Sequence, residues 1–94
     1  MYSFVFSPKA NLSLTTVPEK TTSFPTTFTE LANNPKARSK KTNIPAIGEY
    51  YVNSGRFCIL FDLDEINQII IVYGIVRSEY LHKIITGRIN LLGN

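Results

Sequence analysis

Ninety-four residues can bury one core but not two, so the chain reads as a single domain spanning residues 1–94. An apolar fraction of 44% with 12% aromatics excludes a disordered polymer, and no run approaches the roughly 20 apolar residues that cross a bilayer. A lone cysteine, Cys58, excludes an internal disulfide and any multi-cysteine metal site, and a net charge of +3 is only a weak pull toward anionic partners.

Met1 to Phe6 alternates Tyr2, Phe4 and Phe6 with Ser3 and Val5, the period of a strand with one buried face. No basic stretch followed by a long apolar one opens the chain, so the expected address is a reducing cytoplasm. Ser7-Pro8 suits a helix start, and a helix is expected from Pro8 to about Val17 with Ala10, Leu12, Leu14 and Val17 on its apolar face. Pro18 ends it. A second helix is expected from about Pro25 to Asn33, where Phe24, Phe28, Leu31 and Ala32 fall at helical spacing before Asn33-Asn34-Pro35. Lys20 to Ser23 is equally readable as a Thr-rich linker, because β-branched residues disfavour a helix.

Pro35 to Pro45 is a basic connection without apolar periodicity. Tyr50 to Val52 and Phe57 to Phe61 read as two strands joined by a tight turn at Asn53-Ser54-Gly55-Arg56. A polar turn, Asp62 to Asn67, leads to a strand from Gln68 to Val76 that is apolar on both faces, which marks a central position. Ser78 is placed to cap a last helix, with Tyr80, Leu81, Ile84 and Ile85 on its apolar face and Gly87 at its stop. The tail from Arg88 keeps Ile89, Leu91 and Leu92, apolar enough to pack or to mediate dimerisation. The expected fold class is α+β: two N-terminal helices on a four-stranded, mainly antiparallel sheet, then a short C-terminal helix.

Charge is segregated. Lys36, Arg38, Lys40 and Lys41 lie together without an acid, a run suited to RNA phosphates, whereas Asp62, Asp64 and Glu65 cluster apart. The acidic group lacks the glycine and ligand spacing of a calcium loop, so it reads as a solvated turn, and no cofactor or metal is implied. His82 is the one side chain titrating near neutrality unaided, and so can serve as a general acid or base. Tyr80 can stack on a base. Cys58, in an apolar strand without a neighbouring base, reads as a buried inert thiol.

Four segments carry a resemblance: Tyr2 to Ala10, Glu30 to Pro35, the hairpin Gly48-Glu49-Tyr50-Tyr51-Val52-Asn53-Ser54-Gly55-Arg56-Phe57-Cys58-Ile59-Leu60-Phe61, and Ile70 to Arg77. In that order and spacing they resemble the RelE/ParE superfamily of type II toxin–antitoxin toxins. The resemblance implies a ribosome-dependent mRNA endonuclease or, on the ParE side, a DNA gyrase inhibitor. It also implies a cognate antitoxin, ribosome and mRNA (or gyrase) as partners without a membrane, and a homodimer or a heterotetramer with the antitoxin.

Residue by residue, it implies that Arg77 stabilises phosphate, with His82 or Tyr80 assisting proton transfer; the basic run Lys36, Arg38, Lys40 and Lys41, with Arg56 of the hairpin turn, is expected to contact RNA. Tyr51, Asn53, Cys58 and Val76 stand where the family carries basic residues or histidine, and Phe61 where it carries tyrosine. A catalytically inactive binding protein of the same fold is therefore the alternative.

Overall fold

The computed structural model describes residues 1–16 and 23–87. Strand β1 (Ser3–Phe6) leads to helices α1 (Pro8–Thr16) and α2 (Phe24–Asn33), then β2 (Lys40–Lys41) and a single 3-10 turn at Pro45–Ile47. Strands β3 (Tyr50–Ser54), β4 (Phe57–Asp64) and β5 (Ile69–Arg77) follow, and α3 (Ser78–Ile85) closes the described fold. The α+β class is as expected, but the sheet has five strands in the order β1-β5-β4-β3-β2 instead of four. The extra strand is the pair Lys40–Lys41, which lies antiparallel to Tyr50–Tyr51 inside the segment expected to be a connection. Two exposed lysines have no apolar alternation, so nothing in their pattern announces a strand.

Alternation places Phe4 and Phe6 of β1, Val52 of β3, Phe57, Ile59 and Phe61 of β4, and Ile70 and Val72 of β5 on one face. Helix α2 covers that face with Phe24, Phe28 and Leu31, and the rings interlock edge to face at centroid distances of 5.3 Å for Phe4–Phe28 and 5.9 Å for Phe24–Phe57. Each such pair adds about 0.5–1.5 kcal/mol beyond the area it buries. Thr27 and Ser54, buried between α2 and β3, satisfy one another through a 2.8 Å hydroxyl contact. Helix α1 packs against β5 beyond the end of β1, with Ala10 wholly buried. Its expected apolar face is only partly realised: Leu12 is 63% and Leu14 36% exposed, and Val17 lies outside the described residues.

The opposite face is covered by α3, whose Leu81 packs on Cys58 and Leu60 beside Ile47, Tyr51 and Val76. Ser78 is the first residue of this helix and not its cap, a place taken by Arg77 in extended backbone. Tyr80 and Ile85 of its expected apolar face are 41% and 40% exposed, because one sheet surface receives only Leu81 and Ile84. Lys20 to Thr22 of the Thr-rich stretch and the tail from Arg88 lie outside the described residues.

β4 and β5 do not pair in one register. Leu60 faces Gly74 while Phe61 faces Val72, which leaves Tyr73 as a bulged residue. The Tyr73 ring lies against Gly48, whose φ of 110° is glycine territory. A Cβ there would stand 3.0 Å from Tyr73 Cδ2 and 3.2 Å from the Phe61 amide nitrogen. Gly48→Ala is accordingly expected to cost about 1–3 kcal/mol. Urea denaturation checks this: the midpoint should fall with the slope unchanged, and an unaltered midpoint would contradict the crowding.

Candidate functional surface

Three neutral side chains form a row across the α3-covered face. Asn53 of β3 faces Cys58 of β4, and Cys58 faces Val76 of β5. Tyr51 and Leu60 form the next row, with Lys40 opposite Tyr51 at the sheet edge. The Cys58 thiol donates to Asn53 Oδ1 at 3.0 Å and sits 3.5 Å from Ser78 Oγ. Burial pushes this thiol above its ordinary pKa, and the Ser78 hydrogen bond offsets only part of the effect. The positions matched to charged residues by resemblance are thus real neighbours on one surface and are themselves neutral; positive charge comes only to the margins of that surface, from Lys40 at the sheet edge and Lys9 of α1 at the cavity beside Leu60 and Val76. Phe61 lies on the other face, in the core, with its ring 5.7 Å from that of Tyr50.

Arg77, Tyr80 and His82, expected to act together, are not brought together. Arg77 is paired with Phe57 across β4 and β5, so it emerges on the α2 side, its guanidinium carbon 5.7 Å from the Phe57 ring centroid. Tyr80 borders a cavity of about 190 Å³ on the α3 side with Leu60, Gly74, Val76 and Ile84. His82 is exposed, and two positions along a helix turn it about 200° away from Tyr80. Among the described residues no three His, Cys, Asp or Glu side chains converge as metal ligands do.

The basic connection is also changed by its surroundings. Lys36 Nζ meets Glu65 at 2.5 Å, Arg38 meets Glu30 at 2.5 Å, and Lys41 reaches Glu49 at 4.0 Å. The Glu65 hydrogen bond and charge raise the Lys36 pKa, so this ammonium stays charged but answered. Such exposed pairs add little stability, because water and salt screen them. Each nevertheless holds a carboxylate where a phosphate oxygen would have to sit. Sequence reading missed this because Glu30, Glu49 and Glu65 lie outside the basic run, in α2, the segment before β3 and the β4–β5 turn, and only the fold turns them toward it. Only Lys40 of the four keeps no acidic partner among the described residues.

Arg56 fares differently. It occupies the two-residue turn after Gly55, which supplies the positive φ of 63°, and lies beside Arg77. Gly55, Arg56, Arg77, Ser78 and Glu79 line an open cleft of about 340 Å³. The Ser78 amide donates to the Arg56 carbonyl at 2.9 Å, which ties the hairpin turn to the start of α3.

No family model matches the chain, and no curated protein does so either. Among solved structures, it is similar to a chain of the toxin–antitoxin complex RelBE2 from Mycobacterium tuberculosis, with a TM-score of 0.64 at 16% identity. The match covers 82% of the present chain and 98% of the other. The fold is RelE-like.

Proposed function

We propose that this chain is the toxin of a two-component toxin–antitoxin pair and that it acts by binding its target and not by cutting RNA. The fold it shares with a chain of a toxin–antitoxin complex supports the first half. The second half is carried by the row Asn53, Cys58 and Val76, neutral and lidded by Leu81. Cleavage of a phosphodiester needs positive charge where the phosphorane develops, commonly the largest part of such catalysis. That row holds none. Gyrase is a target consistent with this mode, and the partner in the resting state is a cognate antitoxin.

Ribosome-dependent mRNA cleavage is the second reading. It is favoured by Tyr80, which stands at the edge of the same face with its hydroxyl-bearing ring 41% exposed and is chemically able to donate a proton. Induction of the chain without its antitoxin separates the two. The expected result is growth arrest with ribosome-bound mRNA left intact. Cut mRNA would transfer the assignment to the nuclease, and normal growth would dispose of the toxin reading altogether.

A further inference from the structure

The sheet face under α3 is only half covered. Alternation from Ile70 and Val72, which lie in the core, turns Ile69 and Ile71 of β5 to the α3 side. Ser3 and Val5 of β1, and Asp64 and Asp62 of β4, stand opposite them on that same face. Leu81 covers the other end of these strands, at Cys58 and Leu60. At the open end Val5 is 50% exposed and Ile69 and Ile71 are half-buried, which leaves an apolar strip. Two carboxylates border it, and neither Asp62 nor Asp64 has a cationic side chain within 4.0 Å among the described residues.

Helix α3 brings the chain to that strip. It starts from the end of β5, and its Ile84 borders the cavity that Tyr73 and Gly74 also line, so it runs back along β5 toward Ile71. Gly87, with a φ of 78°, then turns the chain off the helix axis. Residues 88–94 follow the described fold. Fully extended they reach about 23 Å, whereas Ile69 to Ile71 spans about 7 Å of strand. Their chemistry complements the strip: a cation, Arg88, then Ile89, Leu91 and Leu92.

We propose that residues 88–94 form a strap that closes over Val5, Ile69 and Ile71, with Ile89 and the two leucines on the strip and Arg88 toward Asp62. The strip selects a tethered occupant. Three partly exposed aliphatic side chains fall far short of the roughly 800 Å² per partner that a stable interface between separate chains buries. A tail joined to α3 needs no such area, since its effective concentration is already in the millimolar range. The strap goes beyond the toxin reading and does not depend on it.

The test uses the full chain carrying Val5→Cys and Leu91→Cys, oxidised with glutathione disulfide. Cys58 does not compete, because it is 2% exposed and burial raises its thiol pKa. An intrachain bridge should close roughly ten-fold faster than in a chain carrying Lys40→Cys and Leu91→Cys. Docking raises the local concentration at β1 and not at β2, the far edge of the sheet. Adding Arg88→Glu to the first pair should slow closure about two- to three-fold at low salt and not at about 0.5 M salt. Without added cysteines, Leu91→Ser with Leu92→Ser should lower the urea midpoint by roughly 0.5–1 M, whereas changes on an undocked tail shift it little.

Circular dichroism establishes that each variant is folded. The proposal is overturned if the two cysteine pairs close at equal rates, or if the serine pair leaves the midpoint unchanged. It is overturned equally if the bridge joins separate chains at a rate that rises with protein concentration, which would seat the tail on a second copy.

Discussion

Phe61→Ala should remove about 3–5 kcal/mol of folding free energy, from a total of about 5–15 kcal/mol for a typical domain. Phe61 is fully buried on the central strand β4, its ring stacked on Tyr50 with an interplanar angle of 21°, and its backbone flanks Gly48. Truncation leaves a cavity between sheet and helices that rigid neighbours on β3 and β5 cannot close. The melting temperature should fall by at least about 12 °C, taking about 4 °C per kcal/mol for a chain of this length. Calorimetry or a thermal circular dichroism scan measures it. A fall of only a few degrees would mean that the core repacks around the missing ring.

Leu81→Ala should act locally as well as globally. Leu81 is 2% and Ile84 6% exposed, and these two side chains are what α3 buries. An eight-residue helix is too short to persist in water by itself, so it is helical because it is docked. Loss of the Leu81 side chain costs about 2–5 kcal/mol, and undocking uncovers Cys58, now 2% exposed. Labelling of the Cys58 thiol by a disulfide reagent at mildly alkaline pH should accelerate by roughly 30-fold, the equivalent of about 2 kcal/mol. The elevated thiol pKa in the folded chain makes the starting rate low, because thiolate is the reactive form. Unchanged labelling in a destabilised variant would show that something other than α3 shields the sulfur.

The core and the order of every described element but the short strand β2 and the 3-10 turn were readable from apolar spacing: Phe4 and Phe6 at period two, and Phe24, Leu31 and Ala32 at helical period, are buried or half-buried as that spacing demands. What failed was whatever depended on how the elements are turned toward one another. The basic connection looked uncompensated because Glu30 and Glu65 reach Arg38 and Lys36 only through the fold. Ser78 looked like a cap by composition, but the chain direction leaving β5 makes Arg77 the cap residue. Leu12 and Leu14 looked buried, but α1 lies at the flank of β5, where only a small residue such as Ala10 fits inward.

The candidate surface was half visible. Tyr51, Asn53, Cys58 and Val76 were picked out by likeness, and they do share a face. The side taken by Arg77 could not be found that way, since strict alternation from Val72 assigns it to the wrong one.

The bulge at Tyr73 decides that matter, and it makes the strand's phase a heritable property separate from its side chains. Were the register of Phe61 and Val72 to run on through β5, Phe57 would face Val76 on the α2 side, and Arg77 would face Arg56 on the surface beneath α3. A relative that lost only the irregularity would thus bring a cation to the face beneath α3, one row beyond Cys58, with every amino acid of β5 kept. Comparing such chains position by position would pair residues that point in opposite directions.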